Sequence, residues 1–203
     1  MNQKQALKQL KELNKKSKEM RLAAENWSND WQILTAIILS ARTRDEVTIK
    51  VCEKMYKEVS SSKEFSKLKI QKVKKLIGSI NFFNNKSKMI LNCAKEIETI
   101  HKGIVPRDFE KFVMLSGVGR KTANVFLAEF GGSNIGVDTH VSYISQYLGW
   151  ANSDKQEVIE NQLKELFPKS KWKELNSILV RFGKTYTSKR EKNFILDEIK
   201  KII

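Results

Sequence analysis

The sequence has few of the residues that build extracellular, fibrous or membrane-embedded proteins. Its 203 residues include only two prolines, nine glycines and two cysteines, Cys52 and Cys93. Two cysteines cannot make a disulfide framework or a four-thiolate metal site, and so few prolines exclude collagen-like and proline-rich disordered chains. No apolar run approaches the ~18 residues that a membrane span needs, and the amino terminus has no apolar signal segment. We therefore expect an intracellular protein that needs no cofactor or metal and contacts no membrane.

Positive charge is what the sequence has in excess. Lysine and arginine total 38 against 23 acidic residues, which gives a formal net charge of +15. A surface of this sign attracts phosphate groups and gains affinity by counterion release, so nucleic acid is the favoured partner. The excess of lysine over arginine also fits a plain compositional bias. The lysine-rich segment 63–75 has the same two interpretations, a solvated face first and a DNA contact second.

Apolar residues recur at spacings of three and four along nearly the whole chain, which predicts an all-α protein of many short helices. The clearest stripes are Trp31, Leu34, Ile37, Ile38 and Ala41; Val47, Val51, Cys52 and Met55; Ile90, Cys93, Ala94, Ile97 and Ile100; and Val137, Val141, Ile144 and Leu148. Because both cysteines lie on such faces, we interpret them as small buried hydrophobes. A helix that carries Ala123, Phe126 and Phe130 is predicted to end at Gly131-Gly132, and we place the domain boundary at Gly131-Gly132-Ser133-Asn134.

The segment 108–130 predicts a short helix, a tight turn and a second helix. The turn contains Gly117, Val118 and Gly119 and is followed at once by Arg120 and Lys121. Glycine allows positive φ and a close approach of the backbone to a ligand. N–H groups of such a turn and of the next helix's first residues form an anion site. A helix-hairpin-helix holds a DNA phosphate in this way without reading the base sequence.

Lys121 and Asp138 are the candidates for chemistry. A cation is disfavoured at the start of a helix, so Lys121 is either a phosphate contact or a nucleophilic amine that forms a Schiff base. Asp138 opens the next apolar stripe, where its simplest role is to cap a helix. A carboxylate fixed there could also act as a base or an electrostatic partner across a cleft. His140 is interpreted as a structural or polar contact, since two histidines are too few for a zinc site.

Residues 115–125, LSGVGRKTANV, followed by VDTH at 137–140, closely resemble the signature of the endonuclease III family. These proteins are bifunctional DNA glycosylases/AP lyases of the helix-hairpin-helix superfamily. Residues 38–45, ILSARTRD, resemble the family's Leu-Ser-Ala-Gln-Thr-x-Asp segment. Residues 80–88, INFFNNKSK, resemble its Ile-Gly-Leu-Tyr-Asn-x-Lys-Ala segment. The similarity runs over residues 28–185.

The resemblance implies a role for each matched residue. Lys121 would attack the sugar C1′, expel the base and form a Schiff base, and β-elimination would then cut the strand on the 3′ side. Asp138 would assist that attack and stabilise the charge that develops on the sugar. Arg42 and Phe82 would fill the gap left by the everted nucleotide, whose flipping costs a few kcal/mol of stacking.

The remaining implied roles concern the DNA backbone. The resemblance implies that Gly117, Val118 and Gly119 hold phosphates, and we expect further DNA contacts from Arg120 and Lys86. The implied fold is a two-domain helix-hairpin-helix glycosylase with the active-site cleft between the domains. Residues 22–133 would form the central domain, and residues 1–21 with 134–203 would form the second.

The sequence departs from the family pattern at three places. The family carries a C-terminal [4Fe–4S] loop, whose four cysteines are replaced here by Thr187, Phe194, Asp197 and Ile203. No cluster can form by that scheme, and we expect the apolar stripe of Ile195, Leu196, Ile199 and Ile202 to pack in its place. Arg42 stands where glutamine is frequent, and Val113 stands where an acidic residue is typical.

The expected function is base excision repair. We expect removal of oxidised pyrimidines such as thymine glycol from duplex DNA, followed by AP-lyase cleavage, in a DNA-associated monomer. Two alternatives stay open at this point. The chain could remove another lesion, such as mismatched thymine or uracil, or 8-oxoguanine. It could also be a non-catalytic DNA-binding protein that uses the same hairpin.

Overall fold

The computed structural model describes residues 1–130 and 134–203. All regular secondary structure in these two ranges is α-helical. No strand occurs in these two ranges, so the all-α prediction is confirmed. The helices are α1 (Gln3–Lys16), α2 (Asp30–Ser40), α3 (Asp45–Glu58), α4 (Ser62–Phe65), α5 (Ile70–Leu76), α6 (Phe83–Thr99), α7 (Phe109–Val113), α8 (Arg120–Glu129), α9 (Thr139–Tyr147), α10 (Gln156–Leu166), α11 (Lys169–Thr185) and α12 (Lys189–Lys200). No helix of the described ranges is long and apolar enough to cross a membrane.

The chain forms two compact units. The central unit is Arg21–Phe126, and the terminal unit combines Met1–Met20 with Leu127–Ile203. The division falls within α8, between Phe126 and Leu127. The helix end predicted at Gly131-Gly132, and residues 131–133 of the predicted boundary segment, lie outside the described residues.

The central unit is built around α6, which packs against α2, α4 and α5. Helix α2 is buried along most of its length. The ring centroid of Trp31 on α2 lies 5.3 Å from that of Phe65 on α4. Phe112 of α7 and Phe126 of α8 stack with ring centroids 4.5 Å apart. The contact between Phe112 and Phe126 joins α7 to α8 by aromatic packing.

The predicted stripes of the central unit are confirmed except at two helix ends. Ala41 is exposed at the C-cap of α2, and Ile100 is 66% exposed at the C-cap of α6. Both cysteines are fully buried, as predicted. Burial raises the pKa of the Cys52 thiol to about 12, and it also raises the pKa of Cys93.

The terminal unit joins α1 from the start of the chain to α9–α12 from its end. Helix α1 packs against α11 and α12, and α9 packs against α10 and α11. Gln9 is fully buried on α1, where its side chain accepts from Trp150 Nε1 at 2.7 Å and donates to the carbonyl of Ile199 at 3.3 Å. The core of this unit is therefore tied together by a satisfied polar group as well as by apolar contacts.

Helix α12 is held to the terminal unit by its apolar stripe. Leu196 and Ile199 are fully buried, and Ile195 and Ile202 pack against the same core. Two hydrogen bonds also join α9 to α12: the Tyr147 hydroxyl donates to Asp197 at 2.8 Å, and the Tyr143 hydroxyl donates to Asn193. The predicted packing of this stripe is confirmed.

Candidate functional site

The candidate site begins with the helical hairpin formed by α7 and α8. Asp108 caps α7, because its carboxylate accepts from Lys111 N–H at 3.0 Å. The chain then turns through residues 114–119 and enters α8 at Arg120. Glu96 of α6 supports this turn, since its carboxylate accepts from the N–H of Ser116 at 2.7 Å and from the Ser116 hydroxyl at 2.6 Å. The predicted helix, turn and helix are therefore present and are anchored from α6.

The two glycines of the turn have different environments. Gly117 has a φ of +82°, and a Cβ built on it would lie 3.0 Å from Cβ of Met89. Gly119 has no atom within 4 Å of the position of a Cβ among the described residues. Gly117 is therefore required by the backbone and by packing against α6, whereas the fold leaves open space at Gly119.

The N–H groups of the turn do not all face outward. The N–H of Val118 donates to the carbonyl of Leu115 at 3.0 Å, and the Val118 side chain is buried. Within the described residues, the N–H groups of Gly117 and Gly119 donate to no protein acceptor. The turn therefore offers glycine N–H groups to an anion, while Val118 closes the turn and packs inward; its predicted phosphate contact by N–H is not supported by this geometry.

Arg120 and Lys121 form the start of α8, directly after the turn, and both side chains are exposed. The guanidinium carbon of Arg120 lies 5.1 Å from the centroid of the Phe109 ring. This cation–π contact orients the arginine beside the turn. Two cations and two glycine N–H groups therefore lie within five consecutive residues.

Asp138 belongs to the terminal unit and is the N-cap of α9. Its Oδ1 accepts from the N–H groups of His140 at 2.8 Å and Val141 at 2.9 Å, and the residue is 9% exposed. The predicted helix cap is confirmed. His140 packs over α11, because a Cβ built on Gly183 would lie 2.2 Å from the His140 ring nitrogen Nδ1.

Arg42 and Phe82 come together in the central unit, although 40 positions separate them. The Arg42 guanidinium carbon lies 5.8 Å from the centroid of the Phe82 ring, and both side chains are exposed. Both residues have left-handed backbone, with φ of 55° and 59°. They form an exposed aromatic and cationic pair, which we call the wedge pair.

Lys86 lies beneath the wedge pair rather than on the surface. It is 6% exposed, and its ammonium donates to the carbonyls of Leu39 at 2.8 Å and Ala41 at 2.5 Å. A third donation goes to Oγ1 of Thr43 at 3.2 Å. Burial lowers the pKa of Lys86 to about 8. With its donors used inside the unit, this lysine shapes the turn after α2 and does not present its charge to a DNA phosphate, which corrects the expected direct contact.

The positions of the family's cluster cysteines do not fit an iron–sulfur group. Thr187 precedes α12, Phe194 and Asp197 lie on it, and Ile203 follows it. None is a thiolate, and the Asp197 carboxylate already accepts from Tyr147. Among the described residues no cluster of three or more histidines, cysteines or acids could hold a metal ion. No step of the chemistry is therefore assigned to such a group.

Two residues of the site were not predicted from the sequence, namely Glu96 and Asn81. Glu96 supports the hairpin, and Asn81 bridges to Arg42 through a hydrogen bond of 2.6 Å from its Nδ2 to the Arg42 carbonyl. Glu96 lies next to the apolar stripe of α6, and an acid there in so basic a chain is a signal that could have been noticed. Asn81 gives no such signal, because its partner is distant in sequence.

Comparison with known proteins places this geometry in a family. Residues 35–169 match the model of the HhH-GPD superfamily of base excision DNA repair proteins. Endonuclease III of Thermotoga maritima is 34% identical over 158 residues, which cover 77% of this chain and 74% of that protein. Endonuclease III of Bacillus subtilis is 34% identical over 161 residues, which cover 77% and 73% of the respective chains.

Solved structures give the same result. A trapped covalent endonuclease III–DNA intermediate, an estranged-adenine complex, superposes with a TM-score of 0.82 and 28% identity, covering 93% of this chain and 89% of that one. A non-covalent endonuclease III–DNA complex superposes with a TM-score of 0.83 and the same identity, covering 94% and 89%. The similarity extends over nearly the whole chain.

Proposed function

Because this chain belongs to the HhH-GPD superfamily of base excision DNA repair proteins, we propose that it removes oxidised pyrimidines from duplex DNA through a Schiff base on Lys121. The chain is a DNA glycosylase with AP lyase activity and acts on DNA. That activity sets aside the non-catalytic DNA-binding protein that the sequence had left open. The observation that carries the proposal is the exposed Lys121 in the first turn of α8, two residues after the open glycine Gly119.

The proposed reaction begins with the unprotonated Lys121 amine. Its nitrogen forms a bond to the sugar C1′ as the N-glycosidic bond breaks. The base leaves with the bonding electrons and takes up a proton, which balances the proton that the attacking nitrogen loses. Opening of the sugar ring gives the Schiff base. Loss of a proton from C2′ then breaks the bond between C3′ and its oxygen, and the 3′ phosphate leaves. Hydrolysis of the Schiff base returns the amine of Lys121.

We assign Asp138 to the first of these steps. Its carboxylate stabilises the positive charge that develops on the sugar and assists the attack of the amine. The helix cap and this role are compatible, because the two N–H groups of α9 end on Oδ1 and fix the orientation of the carboxylate. The cap therefore supplies preorganisation.

The glycines of the hairpin and the wedge pair are assigned to DNA binding. The N–H groups of Gly117 and Gly119, with Arg120, bind backbone phosphates near the lesion. Arg42 and Phe82 enter the gap left by the everted nucleotide, and their stacking and charge offset part of the cost of flipping. We propose that one copy of the chain is sufficient for this work.

Borohydride trapping tests the assignment of Lys121. The protein is mixed with duplex DNA that contains either an abasic site or thymine glycol, and the reductant is added. We expect a covalent complex with both substrates, and its complete loss in Lys121→Gln. Lys95→Gln, an exposed lysine on α6, is the matched control and should trap like the wild type. Trapping that survives in Lys121→Gln would assign the nucleophile elsewhere.

The same assay separates the lesion from the chemistry. A complex with the abasic site alone would support the lyase activity and contradict the proposed oxidised-pyrimidine substrate. A panel of substrates with mismatched thymine, uracil and 8-oxoguanine would then follow.

Asp138→Asn keeps a side-chain oxygen for the cap of α9 but removes the negative charge. We expect it to fold normally and to trap thymine glycol DNA about 100-fold more slowly or worse.

A further inference from the structure

The wedge pair is held in a backbone conformation that side chains other than glycine adopt infrequently. In the described residues only four non-glycine positions have positive φ, and two of them are Arg42 and Phe82. Such conformations persist where the surroundings determine them, and they concentrate at functional sites. The contacts that impose them on this pair therefore bear on function.

Asn81 ties the segment of Phe82 to the segment of Arg42. Its Nδ2 donates to the Arg42 carbonyl at 2.6 Å, and its backbone N–H donates to Oγ1 of Thr43 at 3.2 Å. Thr43 is buried, whereas Asn81 is exposed. The two hydrogen bonds hold the carbonyl of Arg42 and the hydroxyl of Thr43 against the residue that precedes Phe82.

Lys86 makes the same connection from the buried side. Its backbone N–H donates to the carbonyl of Phe82 at 3.0 Å in the first turn of α6, while its ammonium bonds the Ala41 carbonyl and Thr43 Oγ1. Placing an ammonium in this buried position costs desolvation, which is why its pKa is lowered to about 8. The carbonyl acceptors at the end of α2 offset that cost, because they are the groups that a helix leaves unpaired.

We propose that Asn81 and Lys86 are positioning residues that hold Arg42 and Phe82 as one preformed unit for insertion into the DNA gap. This inference rests on the proposed function of the wedge pair. A pair that is already ordered loses little conformational freedom on binding, so more of its contact energy is available for everting the nucleotide. Asn81 stands where the family segment that it resembles has glycine, which has no side chain to bond the Arg42 carbonyl.

The test follows nucleotide eversion through the unstacking of the neighbouring base. The probe is a duplex with 2-aminopurine beside a tetrahydrofuran abasic analogue, and its fluorescence reports local unstacking as protein is added. We expect Asn81→Ala and Asn81→Asp, neither of which can donate to the Arg42 carbonyl, to lower the eversion equilibrium about 5- to 10-fold. Asn92→Ala, an exposed asparagine on α6, is the matched control and should leave eversion unchanged.

Further variants distinguish the inference from the function on which it rests. Arg42→Ala and Phe82→Ala should each lower eversion. Asn81→Ala added to the double variant Arg42→Ala/Phe82→Ala should have little further effect, because Asn81 acts through those two side chains. Lys86→Met should also lower eversion, but it leaves buried carbonyls unpaired and reduces stability, so the Asn81 variants decide. In the Asn81 variants, trapping on a single-stranded abasic oligonucleotide should match the wild type, because Asn81 is proposed to act only by positioning the wedge pair.

Different results would contradict the positioning role of Asn81 and the wedge role of Arg42 and Phe82. Normal eversion in Asn81→Ala, combined with weak eversion in Arg42→Ala and Phe82→Ala, would overturn the positioning role while retaining the wedge. Normal eversion in Arg42→Ala and Phe82→Ala would overturn the wedge itself, and the positioning role with it. If Asn81→Ala lowered eversion further in the double variant Arg42→Ala/Phe82→Ala, Asn81 would act independently of the wedge pair, and the inference would likewise be rejected.

Discussion

Gly117 and Gly119 stand two positions apart in one turn, yet only Gly117 is needed by the fold. Its φ of +82° and the 3.0 Å approach of a built Cβ to Met89 both oppose a side chain. Gly119 has neither constraint within the described residues. If its N–H binds a phosphate, glycine is kept there because the DNA backbone must approach closely.

Alanine at each glycine should therefore separate stability from binding. We expect Gly117→Ala to lower the free energy of unfolding by about 1–2 kcal/mol, from left-handed strain and crowding against Met89. Gly119→Ala should stay within about 0.5 kcal/mol of the wild type and bind abasic duplex DNA about 10- to 100-fold more weakly. Urea unfolding and fluorescence anisotropy measure the two quantities. Equal losses of stability would contradict the different roles of the two glycines.

Sequence reasoning at the scale of residues succeeded where the chemistry is local. The cap by Asp138 was predictable because a cap depends only on the residue and the helix start that follows it. Lys86 is buried, although a lysine beside an exposed aromatic residue is expected at the surface unless carbonyls from elsewhere in the chain surround it. Those carbonyls belong to Leu39 and Ala41, 45 or more positions earlier in the chain. No pattern around position 86 encodes them.

At the scale of elements, α12 occupies the part of the chain where the family carries its cluster loop. The helix buries Leu196 and Ile199 against α1 and the rest of the terminal core. Phe194, at one of the positions of the absent cysteines, is 64% exposed. Apolar packing by one face of α12 therefore stabilises the terminal unit. The residues that stand where the family has cysteines contribute little to this packing.

Two truncations on α12 test this division. We expect Ile199→Ala to lower the free energy of unfolding by about 2–5 kcal/mol, because it leaves a cavity in a fully buried site. Phe194→Ala removes a larger side chain, yet it should change stability by no more than about 0.5 kcal/mol, because that side chain is largely exposed. Urea denaturation followed by circular dichroism measures both. A loss in Phe194→Ala as large as that in Ile199→Ala would refute the assignment.

The elements themselves were largely predictable, and the errors lie at their ends. Periodicity at 3.6 residues marks a buried face but carries no information on where the helix stops. Ala41 continues the stripe of α2 and Ile100 continues that of α6, but each is the C-cap of its helix and is exposed. In α2 the end coincides with the carbonyls that Lys86 binds. A tertiary contact thus accompanies the end, and the local pattern cannot show it.

On the scale of the whole molecule, a net charge of +15 predicts strongly salt-dependent DNA binding. The charge does not by itself say which cations touch DNA. In the segment 63–75 the lysines lie at the surface of the central unit, and Lys72 pairs with Glu58. That arrangement is consistent with the solvated face that the sequence favoured.

The salt dependence of affinity distinguishes contacting from solvated cations. We expect Arg120→Gln to reduce the slope of log K against log salt by about 0.9, which corresponds to one phosphate contact. Lys67→Gln removes one positive charge from the lysine-rich segment and should leave the slope unchanged. Anisotropy titrations on one abasic duplex between low and moderate salt provide both slopes. A smaller slope in Lys67→Gln would move that segment into the interface.

The burial of both cysteines has a practical consequence for spectroscopy. Cys52 and Cys93 are inaccessible, and their raised pKa values leave almost no thiolate at neutral pH. Maleimide and disulfide reagents should therefore not react with Cys52 or Cys93 in the native protein. A single cysteine introduced on an exposed helix face could be coupled to a fluorophore or spin label without first removing the natural thiols. Distances between a label on each unit could then be followed as DNA is bound and released.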